Sequence, residues 1–184
     1  AQLAMRLVEG NLGPVDLDVG FVAPRGVGIA VNGGPVSGGG FLSFEDGKYS
    51  GALALSVYAV AVKAFGIIET KFPDGHKGFS FIIIISAEFT PIQLGFGFTL
   101  NGVGGILGIN RDLNEDALRD VVQRGSMGNV LFPKDPIKDA PSILHDIAEL
   151  FPAADGHYAF GPMAILAWGT PAIHGLATVA TTSS

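Results

Sequence analysis

Residues 52–62 read ALALSVYAVAV and residues 79–85 read FSFIIII. The first run alternates, is rich in β-branched and aromatic residues and lacks a helix cap, which is the period-two pattern of a strand. Taken as one strand, it puts Leu53, Leu55 and Val57 on one face and Tyr58, Val60 and Val62 on the other, so both faces are apolar. The second run is short and continuous, as expected of a strand covered on both sides. Further out, VDLDVGFV at 15–22 sets Val15, Leu17, Val19 and Phe21 against Asp16 and Asp18. Turn chemistry separates the runs. NGGP at 32–35, EDGK at 45–48 and PDGH at 73–76 place Gly after Asn or Asp, where a positive φ is wanted. The spacing predicts an antiparallel meander.

Charge marks the one boundary in the chain. Residues 111–155 carry half of the charged side chains, and residues 156–184 carry none. The charged segment reads as two short amphipathic helices. Asp112 is expected to cap the first, with Glu115 as capping-box partner, an apolar stripe of Ala117, Leu118, Val121 and Val122, and Gly125 at the C-terminus. The second starts at Asp139 with Pro141 in its first turn, buries Ile143, Leu144, Ile147 and Phe151, and stops at Pro152. Strands resume near 157–167 and 172–180. The expected fold is a single mainly β (α+β) domain over 1–184. It has an antiparallel twisted sheet of about seven to nine strands, with strands in 1–110, the helical insert in 111–155 (helices near 112–152) and final strands in 156–184.

Composition narrows the function. Hydrophobic residues reach 48% and charged residues only 15%, against roughly 25% in an ordinary soluble domain, while Gly occupies 27 positions. A globule of this size has little charge from which to make a polar skin. Part of its apolar surface is therefore expected to need a cover: neighbouring chain, a second subunit or an apolar ligand. The net charge of −6 and the lack of a basic cluster argue against nucleic acid. With no Cys there are no disulfides, thiolate nucleophiles or Cys-ligated metals. The opening AQLAMRLVEGNLGP lacks the charged and apolar regions of a signal peptide and an initiator Met, as expected of a processed product or a piece of something longer. Residues 51–68 are apolar apart from Lys63, but their β-type alternation and the central Lys argue against a membrane span.

The motifs that resemble chemistry each have a plainer use. NGVGGILG at 101–108 has the look of a dinucleotide loop, but no helix follows at once and no βαβ pattern surrounds it, so close packing or a bulge is expected. Ser126 in RGSMGN lacks the first glycine of a nucleophile elbow, because Arg124 stands there. Ser142, His145, Asp146 and Glu149 share one helix. One helix face rarely holds a base between nucleophile and acid, and as metal ligands His145 and Glu149 lack a third. His76, His145, His157 and His174 are dispersed, so no metal site or cofactor is expected. Trp168 reads as a core or interface anchor ahead of a turn.

Several blocks, VSGGGFLSFEDGKYSGAL, PDGHKGFSFIIIISAEF, PIQLGFGFTLNGVGGILGINR, VLFPKDPIKDAPSILHDIAELFP and FGPMAILAWGTP, together resemble a bacterial family of very large proteins known only as a domain of unknown function. LGFGFTLNGVGG and GPMAILAWGTP are the distinctive ones. The resemblance, over about residues 20–172, implies a long β-rich protein and carries no catalytic residue. The chain ends in TTSS, where that family continues into flanking strands.

Two functions are expected to compete. The first is a structural or binding module whose apolar groove, lined by Leu53, Leu55, Val57, Phe96, Phe98 and Trp168, takes a lipid-like small molecule or packs on neighbouring β-rich chain, a homo-oligomer being one form of that cover. The second is a small serine-dependent hydrolase of apolar esters, using Ser126 or Ser142 with His145 and Asp146. The sequence favours the non-enzymatic module.

Overall fold

In a computed structural model, which describes residues 2–10, 13–22, 26–33, 35–125, 127–168, 172–177 and 180–183, hairpin turns close one antiparallel ladder after another. β1 (Gln2–Gly10) and β2 (Gly13–Val22) pair as a separate two-stranded sheet. The main sheet takes up β3 (Gly26–Gly33), β4 (Val36–Glu45), β5 (Lys48–Val57), β6 (Val60–Lys71), β7 (Lys77–Gly95) and β8 (Phe98–Arg111) in chain order. The chain then leaves through α1 (Glu115–Gln123), α2 (Met127–Leu131) and α3 (Ala140–Leu150) and returns beside β8 as β9 (Ala153–Trp168). β10 (Ala172–Ala177) and β11 (Ala180–Ser183) pair with different stretches of β9. The mainly β meander with a helical insert is the fold expected from the sequence.

The run 52–62 is not one strand. Val57 pairs with Val60 across a two-residue turn, Tyr58–Ala59, with φ of 53° at Tyr58. The turn flips the parity of the strand beyond it, so Val60 and Val62 join Leu55 and Val57 on one face. The expected turns at 45–48 and 73–76 do form, with positive φ at Gly47 and Gly75. In the second, the Asp74 carboxylate accepts the His76 backbone N–H (3.1 Å), which holds its carboxyl below the usual range.

Both expected helices form, as α1 and α3, with the five-residue α2 lying between them. α1 is capped by Asn114, whose Oδ1 accepts from the amides of Asp116 and Ala117 (both 3.2 Å). Asp112 instead accepts from its neighbour, the Leu113 amide. Gly125 follows α1 with φ 65°, and α3 begins after Asp139 with Pro in its first turn.

Opposed residues in an antiparallel ladder share a face, so the register can be read straight across the sheet. One row runs Phe41–Ala52–Phe65–Ile84–Ile106–Gly161, and the next runs Ser43–Ser50–Ile67–Ile82–Gly108–Ala159. These rows form the floor of the core. α3 lies on β5 and β6 and brings Ile143, Leu144, Ile147 and Leu150 down on them, and α1 and α2 pack against α3 with Val121, Val130 and Leu131. Each fully buried Ile or Leu of this kind contributes about 1.5–3 kcal/mol. The insert covers only this face. Ile82 and Ile84 of β7 are buried while Phe79 and Ile85 are exposed, so the strand expected to be covered on both sides is covered on one.

Two cations fasten the insert to the sheet. Lys63 of β6 pairs with Glu88 of β7 and donates to the Pro133 carbonyl between α2 and α3 (2.7 Å). Arg111, 1% exposed where β8 leaves the sheet, donates to the Phe151 carbonyl at the end of α3 (2.8 Å). Its Nη2 lies 3.3 Å from Glu69 Oε2, close enough for charge attraction though not aligned for a hydrogen bond. Burial pushes its guanidinium below the usual range, and Glu69 opposes that shift.

The NGVGGILG stretch lies inside β8, and no helix begins at it. A Cβ on Gly102 would stand 2.9 Å from Ile165 Cδ1, and one on Gly104 would stand 2.8 Å from Met163 Cε. These glycines let β9 side chains lie flat across β8, which is the close packing expected of them.

Candidate functional site

Four cross-strand rows run the full width from β4 to β9 on the face turned away from the helices. From β4 to β9 they run Phe44–Tyr49–Ile68–Phe81–Ile109–Tyr158, Leu42–Gly51–Gly66–Ile83–Leu107–Phe160, Gly40–Leu53–Ala64–Ile85–Gly105–Pro162 and Gly38–Leu55–Val62–Ala87–Val103–Ala164. Ile29 of β3 extends the third row beside Gly40. No Asp, Glu, Lys or Arg occurs in any of the four. Glu45, Lys48, Lys63, Glu69 and Glu88 all fall in rows of the helix-covered face. The segregation is the opposite of what an outer surface ordinarily does. Large side chains stand exposed across this face, among them Leu42, Tyr49, Leu53, Ile85, Leu107 and Phe160, the last at 63%.

The face has relief. Where Gly40, Gly51 and Gly66 lie on adjacent strands, missing side chains leave a notch of about 280 Å³ walled by Ile29, Leu42, Leu53 and Ile83. Across β7 from it, Leu107 and Phe160 stand up as a ridge.

Of the residues expected to line a groove, Leu53, Leu55 and Val57 lie on this open face along β5. Phe96, Phe98 and Trp168 lie elsewhere, at the end of the sheet where β7 turns into β8. Phe96 is 98% exposed at the tip, the Trp168 indole N–H donates to its carbonyl (3.2 Å), and the Phe98 and Trp168 rings are 6.1 Å apart. Sequence reading did not single out Leu42, Ile85, Leu107 or Phe160, because membership of the face depends on strand register and no single run displays it.

The candidate catalytic residues are scattered. Ser126 lies outside the described residues. Ser142 and Asp146 line a polar hollow with Arg124, Lys134 and Asp135, while His145 faces a different hollow beside Ser43 and Lys48. His145 Nε2 lies 3.4 Å from Glu149 Oε1, its i+4 neighbour on an exposed helix face. Among the described residues no group of three or more His, Asp or Glu is placed to hold a metal ion, and no helix is long and apolar enough to cross a membrane.

The family of unknown function DUF6603 matches residues 1–183. No curated protein and no solved structure matches the chain.

Proposed function

The chain belongs to that family of unknown function, and we propose that it is a structural sheet module whose bare face packs against another apolar β surface. The observation that carries the reading is the absence of charge from all four rows of the open face. By strand spacing and rise those rows cover about 30 Å by 20 Å, roughly 600 Å². Covering that area is worth about 15 kcal/mol at about 25 cal/mol per Å², before association costs are subtracted. A flat, wide, side-chain-studded sheet face suits sheet-on-sheet packing, in which two such faces meet about 10 Å apart.

A lysine at Ile85 or Leu107 tests the reading. The parent chain should bind a hydrophobic dye when dilute and associate when concentrated, and either substitution should suppress both while leaving the far-UV spectrum unchanged. A parent chain that does neither contradicts the reading.

The glycine-floored notch favours a second reading, in which a lipid-like chain lies across the face. Native mass spectrometry separates the two, since a co-purified acyl chain supports the lipid and its absence supports the sheet.

A further inference from the structure

Resting on the packing reading, we infer that the surface covering the open face is a second copy of this chain, docked face to face about a two-fold axis parallel to the strands over β7. The row Leu42–Gly51–Gly66–Ile83–Leu107–Phe160 carries the argument. Its large and small residues are arranged oppositely on the two sides of Ile83. Two strands to one side lies Phe160 and two to the other lies Gly51; one strand to either side lie Leu107 and Gly66.

A two-fold axis along the strands keeps each residue in its own row and exchanges β9 with β5 and β8 with β6. Phe160 of one copy then stands over Gly51 of the other, and Leu107 over Gly66. Each ridge enters the other copy's notch, and the two Ile83 side chains meet at the axis. In the neighbouring rows the same operation puts Val103 over Val62 and Tyr158 over Tyr49. A contact of this symmetry brings a patch against itself, so a charge off the axis would need an opposite charge at the position exchanged with it. These rows contain none.

Size agrees with the assignment. With β5–β9 superposed and β4 lying over β10 and β11 beside β9, the two faces of roughly 600 Å² bury about 1,200 Å² together, at the lower bound of about 1,200–2,000 Å² for stable interfaces. The aligned packing of two twisted sheets supplies the small inclination such a pair needs.

Sedimentation equilibrium of the 184-residue chain tests the inference through a swap of knob and hole. A Cβ on Gly66 would meet only the Ile82 carbonyl, at 3.7 Å, so the single chain tolerates a larger residue there. The parent chain should be a dimer. Gly66→Leu and Leu107→Gly should each raise its dissociation constant at least tenfold, with folding verified by circular dichroism, and the double variant should recover most of the loss. A dimer indifferent to both single changes overturns this geometry. A monomer that binds hydrophobic dye overturns self-pairing and leaves the packing reading standing, whereas a monomer that binds none overturns both.

Discussion

Tyr58 and Phe96 occupy the first position of two-residue hairpin turns with φ of 53° and 51°, where Gly or Asn is the ordinary choice. Bulky side chains in this region cost about 1–3 kcal/mol each, and these two recover nothing by burial, being 86% and 98% exposed. Phe96→Asn should therefore stabilise the chain by about 1 kcal/mol in urea denaturation, because Asn-Gly is the preferred pair for a turn with positive φ at both positions and Gly97 already has φ 81°. A loss of stability would show that the tip is not strained. Tyr58 also explains why residues 52–62 read as one strand. Tyr-Ala carries no turn chemistry, so the alternation of residues 52–62 runs on unbroken through a reversal that only the pairing of Val57 with Val60 reveals. Asp46-Gly47 and Asp74-Gly75 do carry that chemistry, and those turns were legible.

At the scale of elements, the two faces of the sheet use glycine differently. On the helix-covered face a Cβ at Gly104 would meet Met163 Cε at 2.8 Å and press still closer on the Ile85 carbonyl, whereas Gly66 on the open face has room. Gly104→Ala should cost about 1–3 kcal/mol, and Gly66→Ala should leave thermal stability unchanged or raised. Equal effects at the two sites would remove the distinction between a packed and a bare face. The helical insert was legible because its charge and 3.6-residue periodicity contrast with everything around it. Its third, five-residue helix was not, since MGNVL is too short to show a period. Which face the insert covers was hidden as well. β7 is apolar on both sides, and only the register that puts Phe65, Ile84 and Ile106 in one row beneath α3 decides it.

Among the described residues, the main sheet has a helical cap on one face and none on the other. The low charge content visible in the sequence is explained by where charge is left out, namely the open face, while Lys63 and Arg111 fasten the insert to its own side. Composition led to the expectation of a cover, and Leu53, Leu55 and Val57, expected to lie under it, do fall on the open face. The ridge of Leu107 and Phe160 emerged only from the fold, because it lies on strands separated in sequence by the entire insert.

The three tyrosines offer the most direct test that this face is a contact surface. Tyr49 and Tyr158 lie on it and Tyr58 lies at a hairpin tip, all accessible in the single chain. Tyrosine-directed oxidative labelling, read residue by residue, should show Tyr49 and Tyr158 becoming protected as protein concentration rises while Tyr58 stays reactive. Equal labelling of all three at every concentration would contradict it.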